Sequence, residues 1–596
     1  MAVVYAVVAW LLIQIAAITF PLLLLPEWLT RAVVALILIG FPVALLLAWA
    51  FYVSPEGVAR TGTDAVTGEV HPRARHIALG IGVVGILIAA LAGGVYWHFD
   101  RGRIASAQAR HVTPAVKRVT DTPAVESSPM SPNPVRASKS IAVLPLVNLS
   151  GDPNDNYLGE GISEEVLNAL TKLPGLKVIG RESSFSFRNS NVSAATIGRE
   201  LDVRSLLSGT VQRTGDDLRI TVELDDTKTG VQLWSQQYDR KMQGLFALED
   251  NISGAVVKAL AVTLGAAAGQ PLVNVGTANP QAHDLYLRAI RLYWHTDEAS
   301  LNQAIALFDQ AIAEDPNYAA AWAGMAQAYG YLADAYRAPL DVLPAMRGAA
   351  EKAVALNDKL AMGHLQLGFI LMNYEWDFAG AKRELERAVA LNPGLAEAHA
   401  IFGLYRLRID KDPARARDEF RIAEKLDPLN AWFPRWEGFA AIAQGDESGA
   451  MMLAQRVRRL DPAFSYDTDA VAYVDAAFGH WQACVDRYTL AHVPVSPSGP
   501  QLAICQAHVG DSAKARAVIA QLETAARSRY VDRSHVAAIH AALGEKDQAF
   551  AALEQAYHDR SVHMVSLWMS PWFEPLHGDP RFQALVARVS ADSASP

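Results

Sequence analysis

Between residues 146 and 170 the chain reads LVNLSGDPNDNYLGEGISEEVLNAL, directly after the apolar run SIAVLPL. A strand, a glycine-containing turn and a helix, in that order, are the parts of a nucleotide-binding loop. A dinucleotide loop needs G-x-G-x-x-G; Gly159 and Gly161 fit, but Glu164 stands at the third position. The pattern G-x-x-x-x-G-K-[ST] does not occur. Phosphate binding at a helix start also needs free amides and no competing anion. Here Glu160, Glu164 and Glu165 crowd that start, with Asp152 and Asp155 nearby. These carboxylates complement the helix dipole themselves. Asp152, Asp155 and Glu160 lack the spacing of a calcium loop. The stretch therefore predicts a capped strand-to-helix turn, with Ser163 as a local cap.

Other chemistry-bearing sets are sparse. HExxH, GxSxG and CxxC are absent, and His535 and His540 are five apart, the wrong spacing for a shared zinc face on a helix. SVHMVSLWMSPWF, rich in aromatics and methionine, reads as a cap on a helical core rather than a cofactor box. No catalytic, cofactor-binding or metal-binding residue is assigned, and the chain reads as a non-enzyme. The midpoint between Cys484 and Cys505 falls inside the segment HVPVSPSGP, which joins two helices. If they face each other, an oxidising compartment permits a disulfide; two separate buried thiols fit as well.

The chain has 596 residues, enough for two to four domains. Hydrophobic residues make up 51%, more than a soluble protein of this size usually carries. The net charge of −9 argues against a nucleic-acid binder relying on bulk positive charge. Within residues 1–100, three apolar runs without charged residues predict transmembrane helices at about 2–25, 33–52 and 77–97. Arg60, Arg73 and Arg75 in the second loop place that loop, and the N-terminus, in the cytoplasm. Everything after the third span is then periplasmic, on a multi-pass protein of the bacterial inner membrane. Gly85, Ala89 and Gly93 recur every four residues on the third span and offer a flat packing face, for an intramolecular partner or a homodimer.

Residues 101–138, rich in Ser, Pro and Ala, read as a flexible tether. From 139 to 268 the pattern is strand, helix, strand, helix, three strands, helix (βαβαβββα), with turns at RTGDD and DDTKTG. That order predicts a compact α/β domain with a mixed sheet.

SIAVLPLVNLSGDPNDNYLGEGISEEVLNALTKLPGLKVIGRESSFSFR resembles the TolB amino-terminal-domain-like module of bacterial envelope proteins. IGRELDVRSLLSGTVQR and GVQLWSQQYDRKMQGLFALEDNIS continue the likeness in order, over about 125 residues. The resemblance implies a mixed α/β module without an established catalytic centre, set between membrane helices and tetratricopeptide repeats (TPR). In some relatives a nucleotide-cyclase or winged-helix DNA-binding domain precedes the membrane part. This sequence starts inside its first span, which leaves no room for either.

Residues 280–590 turn to Ala, Leu and charged residues in helical patterns. Helix ends recur at Pro316, Pro393, Pro428 and Pro462, the last three 35 and 34 residues apart. That is the period of the tetratricopeptide helix–turn–helix. Ala304, Phe308 and Ala311 stand before Pro316 at the offsets that Ala381, Leu385 and Ala388 hold before Pro393, and Ala416, Phe420 and Ala423 before Pro428. Trp322 opens a typical first helix. Six or seven helical pairs are expected, stacked as a superhelical solenoid with a concave face for a protein or peptide partner. Specificity would lie in inward polar residues of each first helix.

The fold class is therefore multi-domain: three membrane helices, a mixed-sheet α/β domain, then an all-α TPR solenoid. The favoured function is a membrane-anchored interaction scaffold, with the α/β domain as a second interaction module. The alternative is a transmembrane signalling subunit, akin to the cyclase- or winged-helix-fused relatives but without the output domain.

Overall fold

The computed structural model describes residues 139–173, 175–241, 251–256, 258–259, 276–461, 469–490 and 500–591, and the backbone of 51–54 and 57–60. The first and third predicted spans, most of the second, the tether 101–138, and Gly85, Ala89 and Gly93 lie outside the described residues. Among the described residues no helix is long and apolar enough to cross a membrane. Strands β1 (Phe51–Ser54) and β2 (Gly57–Arg60) pair antiparallel, Phe51 opposite Arg60. Phe51 and Tyr52, expected at the end of the second span, thus belong to a hairpin. Aromatic and β-branched residues favour a strand.

The α/β domain opens with β3 (Ser140–Val143) and β4 (Val147–Asn148). Helix α1 (Asn156–Thr171) follows, then β5 (Lys177–Val178), α2 (Arg181–Phe185) and α3 (Ala194–Glu200). Three long strands complete the sheet: β6 (Ser205–Thr214), β7 (Asp217–Asp226) and β8 (Gln232–Lys241). The order is β5-β3-β6-β7-β8, with β4 also paired to β6. β3 runs parallel to β5 and β6, whereas β6, β7 and β8 are an antiparallel meander, so the sheet is mixed as expected. In β7 the residues Leu218, Ile220, Val222 and Leu224 alternate inward, the period-two pattern of a half-buried strand.

Helix α1 starts six residues before Ile162, the first residue of its apolar stripe. Asp152 caps a short 3-10 turn at Pro153–Asp155 by accepting from the Asn154 amide at 2.9 Å, and this turn leads straight into α1. Gly159, Gly161 and Ser163 therefore lie inside a helix, not in a turn. Ser163 is no cap: its hydroxyl donates to the Gly159 carbonyl (2.8 Å) and accepts from the Leu146 amide (3.0 Å), tying α1 to the residue just before β4.

From Pro280 the described residues form eight pairs of consecutive helices, more than the period alone suggested. The first helices of the pairs are α4 (Pro280–Tyr293), α6 (Ala319–Ala335), α8 (Ala361–Ile370), α10 (Ala396–Arg408), α12 (Trp432–Ala443), α14 (Ala470–Ala477), α16 (Gln501–His508) and α18 (Arg533–Ala542). Their second helices are α5 (Glu298–Glu314), α7 (Pro339–Leu356), α9 (Phe378–Leu391), α11 (Pro413–Leu426), α13 (Glu447–Leu460), α15 (Trp481–Leu490), α17 (Ser512–Ala525) and α19 (Lys546–His558). Two 3-10 segments, Val562–Met569 and Pro571–Leu576, and helix α20 (Pro580–Ala591) end the chain's described part.

The repeat-core residues sit as the spacing required. Ala304, Phe308, Ala311, Ala381, Leu385, Ala388, Ala416, Phe420 and Ala423 are all fully buried. Small residues let helices close up: a Cβ on Gly368 would come within 2.7 Å of Leu385, and one on Gly403 within 2.6 Å of Phe420. Trp322 packs against the edge of the same core. It is half-buried, and its indole N–H donates to the Pro316 carbonyl at 3.1 Å. Pro316 and Pro393 are exposed at the pair ends, Pro428 is half-buried, and Pro462 lies outside the described residues.

The α/β domain and the first repeats share one hydrophobic core. It runs from Ile141, Leu158, Ile162 and Leu207 into Leu287, Ile290, Phe308 and Met325 without a break. Each such side chain contributes roughly 1.5–3 kcal/mol on burial. The α/β domain is thus packed onto the helical pairs, not strung beside them.

Candidate functional site

The stretch first read for phosphate chemistry is one wall of a seam between the α/β domain and the first helices of the repeats. Gly161 faces α4: a Cβ there would lie 2.7 Å from a methyl of Leu287. Gly159 faces the sheet, where a Cβ would meet the Leu146 carbonyl oxygen at 2.2 Å. Both glycines therefore serve close helix packing. The carboxylates that crowd a phosphate site are ion-paired here. Glu160 lies 3.0 Å from Arg188 and 3.7 Å from Arg291 of α4. Glu164 lies 2.8 Å from Arg181, whose guanidinium stacks 4.5 Å from both Phe185 and Trp294. Tyr157 donates to Asp284 of α4, and Arg288 pairs with Asp284 at 2.8 Å. Asp155 faces Arg213 at 3.4 Å, so Asp152, Asp155 and Glu160 are drawn to three different tasks.

Further along, the seam uses the loops between pairs. The Thr171 hydroxyl accepts from the Asn392 side-chain amide at 3.0 Å. The Gly180 amide donates to the Leu426 carbonyl at 2.7 Å. Asp427 accepts from the Ser183 amide at 2.8 Å, and the Ser183 hydroxyl accepts from the Leu429 amide at 2.7 Å. Gly180 has to be glycine for this approach: a Cβ would stand 2.6 Å from the Asp427 carboxyl carbon.

The seam concentrates acids. Burial, followed by the charges of Asp427, Glu182 and Glu164, pushes the half-buried Glu397 carboxyl up to about 7. Burial likewise raises Asp427 to about 6, against the hydrogen bonds from Ser183 and Asn430. Glu164 is raised by burial although Arg181 opposes it. Tyr331 of α6 is held up at about 12 by burial, and Tyr293 of α4 stands well above its ordinary value for the same reason. Of the inward polar residues expected to give partner specificity, Asp284, Arg288 and Arg291 of pair one are engaged with the chain's own α/β domain.

Three features were not legible as chemistry. His364 and His399, 35 residues apart, repeat one device. Their Nδ1 atoms lie 2.6 and 2.7 Å from Glu384 and Glu419, and their Nε2 atoms 2.9 and 3.1 Å from the carbonyls of Asp358 and Pro393. Trp322 reaches the Pro316 carbonyl from the same position in its pair. The shared offset from the pair end was the available signal. Asp532 is the second feature: it accepts from Ser534, Ser561 and His563 at 2.8, 2.6 and 2.8 Å, which holds its carboxyl far below the usual range despite burial. His535, set aside on spacing to His540, lies with its ring tilted against that of His563, centroids 5.0 Å apart. The third is closure of the chain end onto earlier repeats, where the Trp568 indole reaches the Arg408 carbonyl. The sulfurs of Cys484 and Cys505 lie 1.99 Å apart, in helices α15 and α16. Among the described residues no group of three or more His, Cys, Asp or Glu is placed to hold a metal ion.

No family model matches the chain. A curated protein of Rhizobium meliloti (strain 1021), named "Putative adenylate cyclase 3", is 32% identical over 256 residues. The match covers 43% of each chain, so this chain spans less than half of that relative's length. Similar solved structures include a TPR protein with an unusual peptide-binding site, at 21% identity over 32% of this chain and 90% of that one, with a TM-score of 0.23. A thermophilic TPR protein of Thermus thermophilus matches at 16% identity, 33% of this chain and 98% of that one, TM-score 0.28. A tetratricopeptide repeat protein of Parabacteroides merdae matches at 11% identity, 51% and 99%, TM-score 0.30. The curated relative corrects the reading of this chain as a non-enzyme: its name is a positive pointer to enzyme activity, and motif absence could not see it.

Proposed function

We propose that this chain is a protein-interaction scaffold of an adenylate-cyclase-linked system, in which the helical pairs hold a protein or peptide partner. The observation that carries the reading is the array of eight helical pairs fused through one core to the α/β domain. Stacked pairs of this kind present long surfaces to partners, and the cyclase-named relative supplies the link to nucleotide signalling. The α/β domain, TolB-like by its sequence, is the second interaction module. The apolar runs at 2–25, 33–52 and 77–97 support an anchor in the inner membrane with the repeats on the periplasmic side.

Affinity recovery of partners from membranes, with the full chain and with residues 280–596 deleted, tests the reading. Unchanged recovery after the deletion would remove the repeats as the binding surface. A second reading, a transmembrane signalling subunit, is favoured by the cyclase-named relative. It is tested by cyclic AMP formation from ATP and Mg²⁺, with the chain alone and with its recovered partner. Cyclic AMP from the chain alone places catalysis in this chain; a rate changed only by the partner makes the chain a regulator.

A further inference from the structure

Charged side chains close the joint between pairs four and five. Arg417, Arg421 and Glu424 stand four and three residues apart on α11, along one face of that helix. Glu437 of α12 faces this stripe: the Nε atoms of Arg417 and Arg421 lie 3.1 and 3.2 Å from its Oε1. Arg456 of α13 pairs with Glu424 Oε2. At the rim, Arg417 also pairs with Asp446 at 3.2 Å and donates to Gln444, and Arg421 lies 3.7 Å from Asp418. Both glutamates are more than nine-tenths buried, at 9% and 4% exposure.

One atom of this cluster stands apart. Glu424 Oε1 is sealed from solvent and meets no hydrogen-bond partner among the described residues. A buried carboxylate oxygen without a donor is costly, and native structures rarely leave one so. Glu437 lies within hydrogen-bonding reach of Glu424. Two carboxylates only accept, so they cannot bond to each other; a carboxylic acid donates to a carboxylate. Three guanidiniums around the two glutamates disfavour a metal cation in the same place, which leaves a proton. Burial raises the Glu424 carboxyl to about 7, with Arg456 opposing and Glu437 adding to the rise. The cluster also backs the seam. Arg456 reaches the Pro428 carbonyl at 3.5 Å, in the loop 427–430 whose Asp427 and Leu429 hold Ser183 of the α/β domain.

We propose that Glu424 and Glu437 share one proton, carried on Glu424 Oε1 and donated to Glu437, and that this proton is a working part of the joint between pairs four and five. Its loss to solvent base leaves two like charges facing each other in a closed site. The joint, and the seam loop it backs, therefore weakens as pH rises.

Glu424→Gln tests this, because the amide N–H replaces the shared proton while the amide oxygen keeps Arg456. The detergent-solubilised full chain and the variant are compared by infrared difference spectroscopy of the carboxylic C=O stretch at about pH 6 and about pH 9. The wild type is expected to show one protonated-carboxyl band at the lower pH that the variant lacks, and no such difference at the higher. Glu437→Gln is expected to remove the same band, since its amide donates to Glu424 and leaves that group ionised. A merely structural role for either side chain would not move the band. In urea unfolding, wild type and Glu424→Gln are expected to share a midpoint below pH 4.5. The variant's midpoint should then rise above the wild type's, the gap being complete above about pH 7. A variant with wild-type far-UV circular dichroism that keeps the band overturns the proposal, as does a urea midpoint difference that does not change with pH. If Glu424→Gln does not fold, the Glu437→Gln spectrum decides alone: a lost band supports the shared proton, and a retained band overturns it.

Discussion

Glu397 sets a stability change with pH at the seam. Its carboxyl is raised from 4.5 to about 7 by burial, with Asp427, Glu182 and Glu164 adding to the shift. A raised acid pKa means the folded chain holds a proton that the unfolded chain releases. Its stabilising contribution is therefore complete below pH 4.5 and lost as pH rises through 7. Each pKa unit is worth about 1.4 kcal/mol, so the loss between pH 5 and 8 is about 2–3 kcal/mol for this one group. Asp427, raised to about 6, adds a further loss at slightly lower pH. The two are not additive, because Asp427 is one of the charges that raise Glu397. Glu397→Gln removes the titration while keeping size and shape. In urea unfolding followed by tryptophan fluorescence, the variant is expected to match the wild type near pH 5. It should exceed it by about 2 kcal/mol at pH 8, flattening the pH profile. A profile as steep in Glu397→Gln as in the wild type would refute the placement of Glu397 among the clustered acids of the seam.

Gly161→Ala presses a methyl onto the Leu287 side chain, so a cost of about 1–3 kcal/mol is expected in the same assay; Gly159→Ala, which meets a backbone carbonyl, should cost more. The Cys484–Cys505 bond, closing a separation of 21 residues, is expected to leave no thiol for alkylation in the denatured, unreduced chain. Cys484→Ser should lower stability by about 3 kcal/mol; mass spectrometry showing two alkylated cysteines would contradict the bond. His399→Ala leaves Glu419 and the Pro393 carbonyl without their ring partner. A loss of about 1–3 kcal/mol is expected, and a neutral result would make the repeated histidine device incidental.

Much of the fold was readable because its signals are local. A period of 34 to 35 residues with fixed Ala–large–Ala offsets places Ala381, Leu385 and Ala388 in a core whichever partner covers them. Alternation in Asp217–Asp226 needed only one buried face to become a strand. The start of α1 was misplaced because Gly159 and Gly161 read as turn residues, and glycine has poor intrinsic helix propensity. Tertiary contact outweighed it: only residues without a side chain let α1 approach Leu146 and Leu287. The acids of that helix, Glu160 and Glu164, are ion-paired. Their partners, Arg181, Arg188 and Arg291, lie too far along the chain for spacing to find.

By itself the sequence determined that a mixed sheet precedes an array of helical pairs, and which residues fill several of those pairs. These follow from hydrophobic periodicity, which every short segment carries within itself. Only the tertiary structure decided which surfaces remain open. It set the α/β domain against the repeats through Tyr157 on Asp284, Thr171 on Asn392 and Ser183 on Leu429, and laid Trp568 against Arg408 and Trp572 against Tyr473 farther on. Such contacts join residues up to 246 positions apart. They depend on how the curvature of many stacked pairs accumulates, a property no single repeat encodes.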